Sequence, residues 1–323
     1  MRSTGATARR CKPSPGAALP CGELPQRIGG DWGYRRLSTY GGVAGLRNRG
    51  RQRGAGDGFG WLSAGVSVSQ ALGSPETTAQ VHPALFTAAM MRAAQAQGAE
   101  LRAGRVTGVV TNAGRALGVE VDGATITGDA VVIAMGPWSI LAAAWLPLPA
   151  VFGLKGHSLV FETGTTVPAE AAFLEYREAS GAMHTPEIFP RADGTTYVCA
   201  ISSESPLPID PADVAPDEGA LERLETMCRD ISPVLGQAKI IARQACYRPV
   251  TRDGLPLIGR VAGLAGAYVA TGHSVWGILN APATGEAMAE LITEGAAHTV
   301  DLSPFDPARL PPLDPARLRT GPK

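Results

Sequence analysis

The chain has 323 residues, 45% of them apolar, and zero formal net charge, so it can bury a substantial core in one large or two modest domains. The neutrality hides an asymmetry: residues 1–60 carry 11 Lys or Arg against 3 Asp or Glu and the remainder 18 against 26, a leader of net +8 ahead of a body of net −8. No apolar run approaches the roughly 18 residues that span a bilayer, and the five cysteines and five histidines show neither Cys-x-x-Cys nor His-Glu-x-x-His spacing, which argues against a disulfide framework and a metal site.

In chain order, residues 1–60 read as a basic, Gly/Arg-rich leader that is largely disordered, with Asp31–Leu37 its one stretch of ordinary folded sequence. A nucleic-acid-binding arm is disfavoured because no aromatic-interleaved basic surface accompanies it. Pro83 at a first helical position opens a helix whose apolar face carries Phe86, Ala89, Met90 and Ala93 and which ends at Gly98. That face is expected to pack on a sheet. Glu100–Ala103 reads as a strand, and Val106–Thr111 with Leu117–Val121 as a hairpin closed by Asn112-Ala113-Gly114. Ala130–Met135 is a continuous apolar run, as expected of a central parallel strand covered on both faces, and it delivers Gly136 to the sheet's carboxyl edge.

Residues 151–245 change character. Strands are predicted near Phe152–Phe161, Ala172–Tyr176 and Thr195–Ser203, and a helix from Pro216 places Leu221, Leu224 and Cys228 on one face. The chain returns to the first unit at Lys239, and beyond residue 303 six prolines leave an extended tail. Ala267–Gly285 then packs a buried strand, a glycine-rich turn and a new helix, starting near Ala281 with Asn280 at its cap and Pro282 in its first turn, into under twenty residues. Glycines let backbone approach a ligand closely, and a helix start aims unpaired N–H groups and partial positive charge at it, an arrangement suited to an electron-rich ring.

This segment, together with Cys246-Tyr247-Arg248-Pro249-Val250-Thr251-Arg252-Asp253-Gly254, resembles the C-terminal flavin-binding region of the D-amino-acid oxidase, glycine oxidase and sarcosine oxidase family. Gln80-Val81-His82-Pro83, Ala130–Ser139 and Leu154-Lys155-Gly156-His157 follow in the order seen in glycine oxidase, so the resemblance covers roughly residues 61–300. It implies an α/β fold: a partial FAD/NAD(P)-binding (Rossmann-like) domain in two parts, 61–150 and 246–300, an inserted α+β substrate domain at 151–245, and a Pro-rich tail at 301–323. These flavoproteins hold the diphosphate of FAD on a strand, a Gly-x-Gly-x-x-Gly turn and a helix. No such turn occurs in the sequence; Gly54–Gly60 has the wrong spacing and follows a basic stretch rather than an apolar strand.

The resemblance implies an FAD-dependent oxidoreductase that oxidises a small-molecule amine or amino acid by hydride transfer to the flavin, with neither a nucleic acid partner nor a membrane span, and the sparse cysteines suit a cytoplasmic location. The alternative is an incomplete, non-catalytic member that binds FAD weakly or not at all. Arg248 corresponds to the arginine that clamps the substrate carboxylate, a task for which its planar fork is suited; an ordinary arginine pairing with Asp253 is the bland alternative. Gly272, His273, Ser274, Trp276, Gly277, Ile278 and Leu279 correspond to residues lining the flavin ring and ribityl chain, although packing explains His273 and Trp276 singly as well as catalysis does. Val106, Ala134, Gly136 and Trp138 correspond to the adenosine side. Cys246 falls where monomeric sarcosine oxidase carries a covalent flavin, with an inert half-buried thiol as the other reading. Val275 stands where glycine oxidase is expected to carry an arginine, which points to a bulkier or secondary amine.

Overall fold

The computed structural model describes residues 33–39, 60–71 and 79–318. Two short strands, β1 (Gly33–Thr39) and β2 (Val66–Ala71), come first, then helix α1 (Pro83–Ala96), the hairpin strands β3 (Val106–Asn112), β4 (Arg115–Val121) and β5 (Ala124–Thr127), and β6 (Val131–Ile133). The middle of the chain holds β7 (Phe152–Glu162), β8 (Glu170–Arg177), β9 (Met183–His184), β10 (Glu187–Pro190), β11 (Thr195–Ser203), α2 (Ala220–Ile231), α3 (Pro233–Gln237) and β12 (Lys239–Val250). Strands β13 (Leu257–Arg260) and β14 (Ala267–Thr271) and helix α4 (Gly277–Thr293) close the fold, which is α/β. β1 lies inside the stretch expected to be largely disordered; the rest of residues 1–59 lies outside the described residues.

The largest sheet runs β12-β7-β11-β10-β8-β1-β2, with β9 paired to β8. Alternation along β7 decides its two faces. Leu159 and Phe161 point to one side, joined by Val198, Ile188 and Leu174 from neighbouring strands, and there they meet Leu221, Leu224, Cys228 and Ile231 of α2 in the main core. The predicted helix face is therefore the buried one, although the helix itself starts at Ala220 rather than Pro216. Burying side chains of this size stabilises by roughly 1.5–3 kcal/mol each. Gly156 and Ser158 point to the opposite side. β12 pairs with β7 along its whole length, to Val250↔Phe152, and so runs unbroken through the domain boundary placed at residues 245/246.

The second unit is smaller. Hairpin β3–β4 closes as expected, with Ala113 and Gly114 both in the left-handed region (φ 46° and 75°), as a two-residue primed turn requires. β14 lies between β13 and β6 in a three-stranded sheet. β6 was expected to be a central strand covered on both faces, yet among the described residues it is an edge strand paired only to β14, and Val132 is 40% exposed. The apolar run is legible; its neighbours are not. Likewise Pro83 does open α1, capped by His82, but no residue of α1 is buried, and on the face of Phe86, Ala89, Met90 and Ala93 three are only partly covered and Met90 is exposed. Glu100–Ala103 forms no strand and is exposed, since four residues without a pairing partner gain no ladder hydrogen bonds.

The proline-rich tail is docked rather than free. Pro149 and Pro312 form a β-bridge, Leu313 N–H donates to the Leu148 carbonyl at 2.8 Å, and Pro307 is buried.

Candidate functional site

β6 and β14 run parallel, Val131–Ile133 beside Ala267–Val269, so their carboxyl ends deliver Ala134–Gly136 and Gly272–Ser274 to one edge. Thr271 ties the two ends together: its hydroxyl donates to the Gly136 carbonyl at 3.0 Å and accepts from Ser139 Oγ at 3.0 Å. Both hydroxyls are buried; Ser139 and Thr271 lie within the family-like segments, but neither is singled out there.

The turn after β14 is tight. Gly272 has φ 84°, and a Cβ there would meet Thr251 Cγ2 at 2.8 Å. Ser274 also sits in the left-handed region at φ 50°, an uncommon place for a residue with a side chain. A single 3₁₀ turn over Ser274–Trp276 then feeds α4, which begins at Gly277, four residues before the expected start. Pro282 is consequently inside the helix rather than in its first turn, where its ring nitrogen leaves the Ile278 carbonyl without its usual donor.

The helix start is open: Val275, Trp276 and Leu279 are 57%, 60% and 71% exposed, and the positive end of the α4 dipole points out of it. Burial holds the His273 imidazole below its usual pKa, and its Nε2 lies 3.0 Å from Thr284 Oγ1. Beside this helix lies a cavity of 420 Å³ bounded by His273, Trp276, Asn280, Thr284, Leu255 and Phe305. Exposed apolar surface and a partial positive charge at one point fit the ring of a flavin. Val106 stands partly exposed at the start of β3. Trp138 is differently engaged: its indole N–H donates to the Pro208 carbonyl at 2.8 Å.

Arg248 lies on β12, three residues before the Thr251 that touches Gly272, about 10 Å along the strand. Its guanidinium covers Gly156, where a Cβ would come within 3.4 Å of Nη2, and Nη1 donates to Ser202 Oγ at 3.3 Å. It is not the partner of Asp253. That carboxylate takes Arg309 instead, at 2.7 and 3.0 Å, and Arg248 has no ion-pair partner among the described residues. Cys246 is exposed on the same face of the sheet.

The opposite face of β7 holds the segment 203–217 down. The buried Lys155 stem packs over the Tyr247 ring, with Nζ donating to Asp217 Oδ1 at 2.6 Å and to the Ala215 carbonyl at 3.0 Å. Although partial burial pushes the Asp217 carboxyl upward, hydrogen bonds from Lys155, Ser203 and Ser205 hold it well below the usual carboxylate range. His157 Nε2 accepts the Asp217 N–H at 3.0 Å, so its Nδ1–H donates to the Ile201 carbonyl at 2.9 Å. Tyr247 adds a bond to the Pro206 carbonyl at 2.5 Å. The Lys-Gly-His run thus has a legible logic in the fold: Lys155 and His157 anchor the segment, and Gly156 between them leaves room for Arg248.

A family model described as FAD dependent oxidoreductase matches residues 31–291. Glycine oxidase from Pseudomonas aeruginosa is 29% identical over 185 residues, 57% of this chain and 46% of that protein. The crystal structure of glycine oxidase from Geobacillus kaustophilus superposes with a TM-score of 0.69 at 24% identity, covering 86% of this chain and 74% of that one. Iminodiacetate oxidase from Chelativorans sp. BNC1 gives 0.67 at 22% identity, covering 85% and 75%. The chain spans about half or less of the length of the curated relatives it matches.

Proposed function

The chain belongs to the FAD-dependent oxidoreductase family, and from that premise we propose that it oxidises a carboxylated amine whose carboxylate is held by Arg248. The observation that carries this reading is the guanidinium itself: it is partly exposed on the face of the large sheet opposite α2, its neighbouring carboxylate Asp253 is committed to Arg309, and its strand ends against the turn before α4. A bound flavin supplies the acceptor for a hydride equivalent. Gly272–Ser274 and the start of α4 would hold the ring, with Val275, Trp276 and Leu279 excluding water around it. Arg248 would orient the substrate by two parallel hydrogen bonds to its carboxylate, and Ser202 keeps the fork in place. His273, held neutral by burial, supports the turn through Thr284 rather than adding positive charge.

The test is direct. Visible absorbance of the purified protein reports bound flavin, and Arg248→Ala is expected to raise KM for a carboxylated amine roughly a hundredfold while leaving bound flavin in place. Unchanged kinetics would remove Arg248 from this role. Protein that retains no visible absorbance after incubation with FAD and removal of the unbound cofactor would favour a non-catalytic member of the family.

A further inference from the structure

We propose that Glu187 is a specificity-determining residue on the same face of the sheet as Arg248, selecting ligands that carry a cationic nitrogen at the end remote from the carboxylate and rejecting dicarboxylates. The inference rests on the carboxylate-clamp reading of Arg248 and extends it to the substrate class.

The register places the two groups. Arg248 covers Gly156 on β7, and Ser158, two residues on, pairs with Cys199 of β11, which in turn pairs with Glu187 of β10. Two strand spacings and two residues of rise put Glu187 about 12 Å from Gly156, backbone to backbone. Both side chains lie on the face opposite α2: Ile188, which alternates with Glu187, and Val198, which alternates with the Cys199 paired to it, are buried in the core with that helix, and Arg248 covers Gly156, which alternates with the core-facing side of β7. The Glu187 carboxylate leans over β11 to within 3.7 Å of Cys199 Sγ, so the charges are closer together than the backbones, and a cation and an anion flank the stretch of sheet at Ser158 and Cys199.

Glu187 also lacks what a half-buried carboxylate needs. A carboxylate accepts up to about four hydrogen bonds. Among the described residues Glu187 has no ion-pair partner, and its hydrogen bond comes from the Cys199 thiol at 3.7 Å, a weak donor. Burial pushes that thiol's pKa up to about 12, so it stays neutral and offsets none of the negative charge. On its other side Glu187 pairs with Phe173, whose ring meets Phe189 edge to face at 5.7 Å. A carboxylate beside aromatic rings is an environment that favours an ammonium group and disfavours a second carboxylate.

Equilibrium binding to the full chain separates the two readings without turnover. The probes are 4-aminobutanoate, butanoate and succinate, measured by titration calorimetry on the wild type, Glu187→Gln, Glu187→Lys and Arg248→Ala. The expected pattern is a preference of tenfold or more for 4-aminobutanoate over butanoate and succinate in the wild type. Glu187→Gln should abolish that preference with butanoate affinity unchanged, and Glu187→Lys should reverse it toward succinate. A preference that survives Glu187→Gln, or no preference in a wild type that binds butanoate through Arg248, overturns the role of Glu187 alone. Butanoate binding that is absent, or indifferent to Arg248→Ala, overturns the clamp reading and with it this inference.

Discussion

Asp253 shows how a local sequence reading is displaced by a distant partner. Five residues from Arg248 it looks like the arginine's natural counterion, but Arg309, 56 positions away, takes it bidentately and adds a bond to the Leu255 carbonyl at 2.7 Å. The pairing fixes the loop after β12 and the docked tail at once, and it releases Arg248. The Arg309 hydrogen bonds, against a smaller effect of burial, hold the Asp253 carboxyl well below the usual range. A depressed carboxylate contributes stability that is present above its unfolded pKa, about 3.9, and is lost as pH falls through its folded value. Arg309→Ala is therefore expected to cost about 1.5 kcal/mol at neutral pH. Thermal melts of the two proteins should converge as pH drops below about 4. A gap that persists undiminished in acid would assign the loss to tail packing instead.

At the scale of elements, periodicity carried the large sheet and its helix, and pairing carried the rest. Leu221, Leu224 and Cys228 could be placed on one buried face of α2 because a single helix against a sheet needs only its own 3.6-residue period. Leu224→Ala, at a fully buried position, is expected to lower stability by 2–5 kcal/mol in denaturant unfolding. β6 could not be placed from its own residues, because edge and central strands differ in what lies beside them. The start of α4 lies earlier than its sequence suggests for a related reason. Pro282 and Asn280 look like a cap, but the packing of Thr251 against Gly272 fixes the turn earlier and lets the helix begin at Gly277. Gly272→Ala tests this control: strain at φ 84° and a clash at 2.8 Å should destabilise the protein by roughly 2–3 kcal/mol and weaken flavin binding together. Full flavin affinity in a folded Gly272→Ala protein would detach the turn from the ring site.

Across the whole molecule, burial is uneven. The large sheet and α2 share one continuous core, whereas α1 buries nothing among the described residues, β6 has a bare edge, and the first turns of α4 stand open. The bare edge of β6 and the open start of α4 lie beside the edge where Gly136 and Gly272 meet, the side on which a ring would sit. The complementary half of a dinucleotide site is a helix start whose N–H groups and dipole offset the removal of two phosphate charges from water, and the 323 residues contain no Gly-x-Gly-x-x-Gly turn to build it. Family members described by this model depend on FAD, so the contribution of each half of the cofactor is measurable in this chain. Fluorescence titration with riboflavin and with FAD is expected to give affinities within about tenfold of each other if the turn before α4 receives the ring and no Gly-x-Gly-x-x-Gly turn holds the diphosphate. A formed phosphate cradle contributes several charge-assisted hydrogen bonds of about 1.5–3 kcal/mol each, which would separate the two ligands by a thousandfold or more. That larger separation would show that residues without the usual spacing hold the diphosphate, and would give this chain a complete cofactor site.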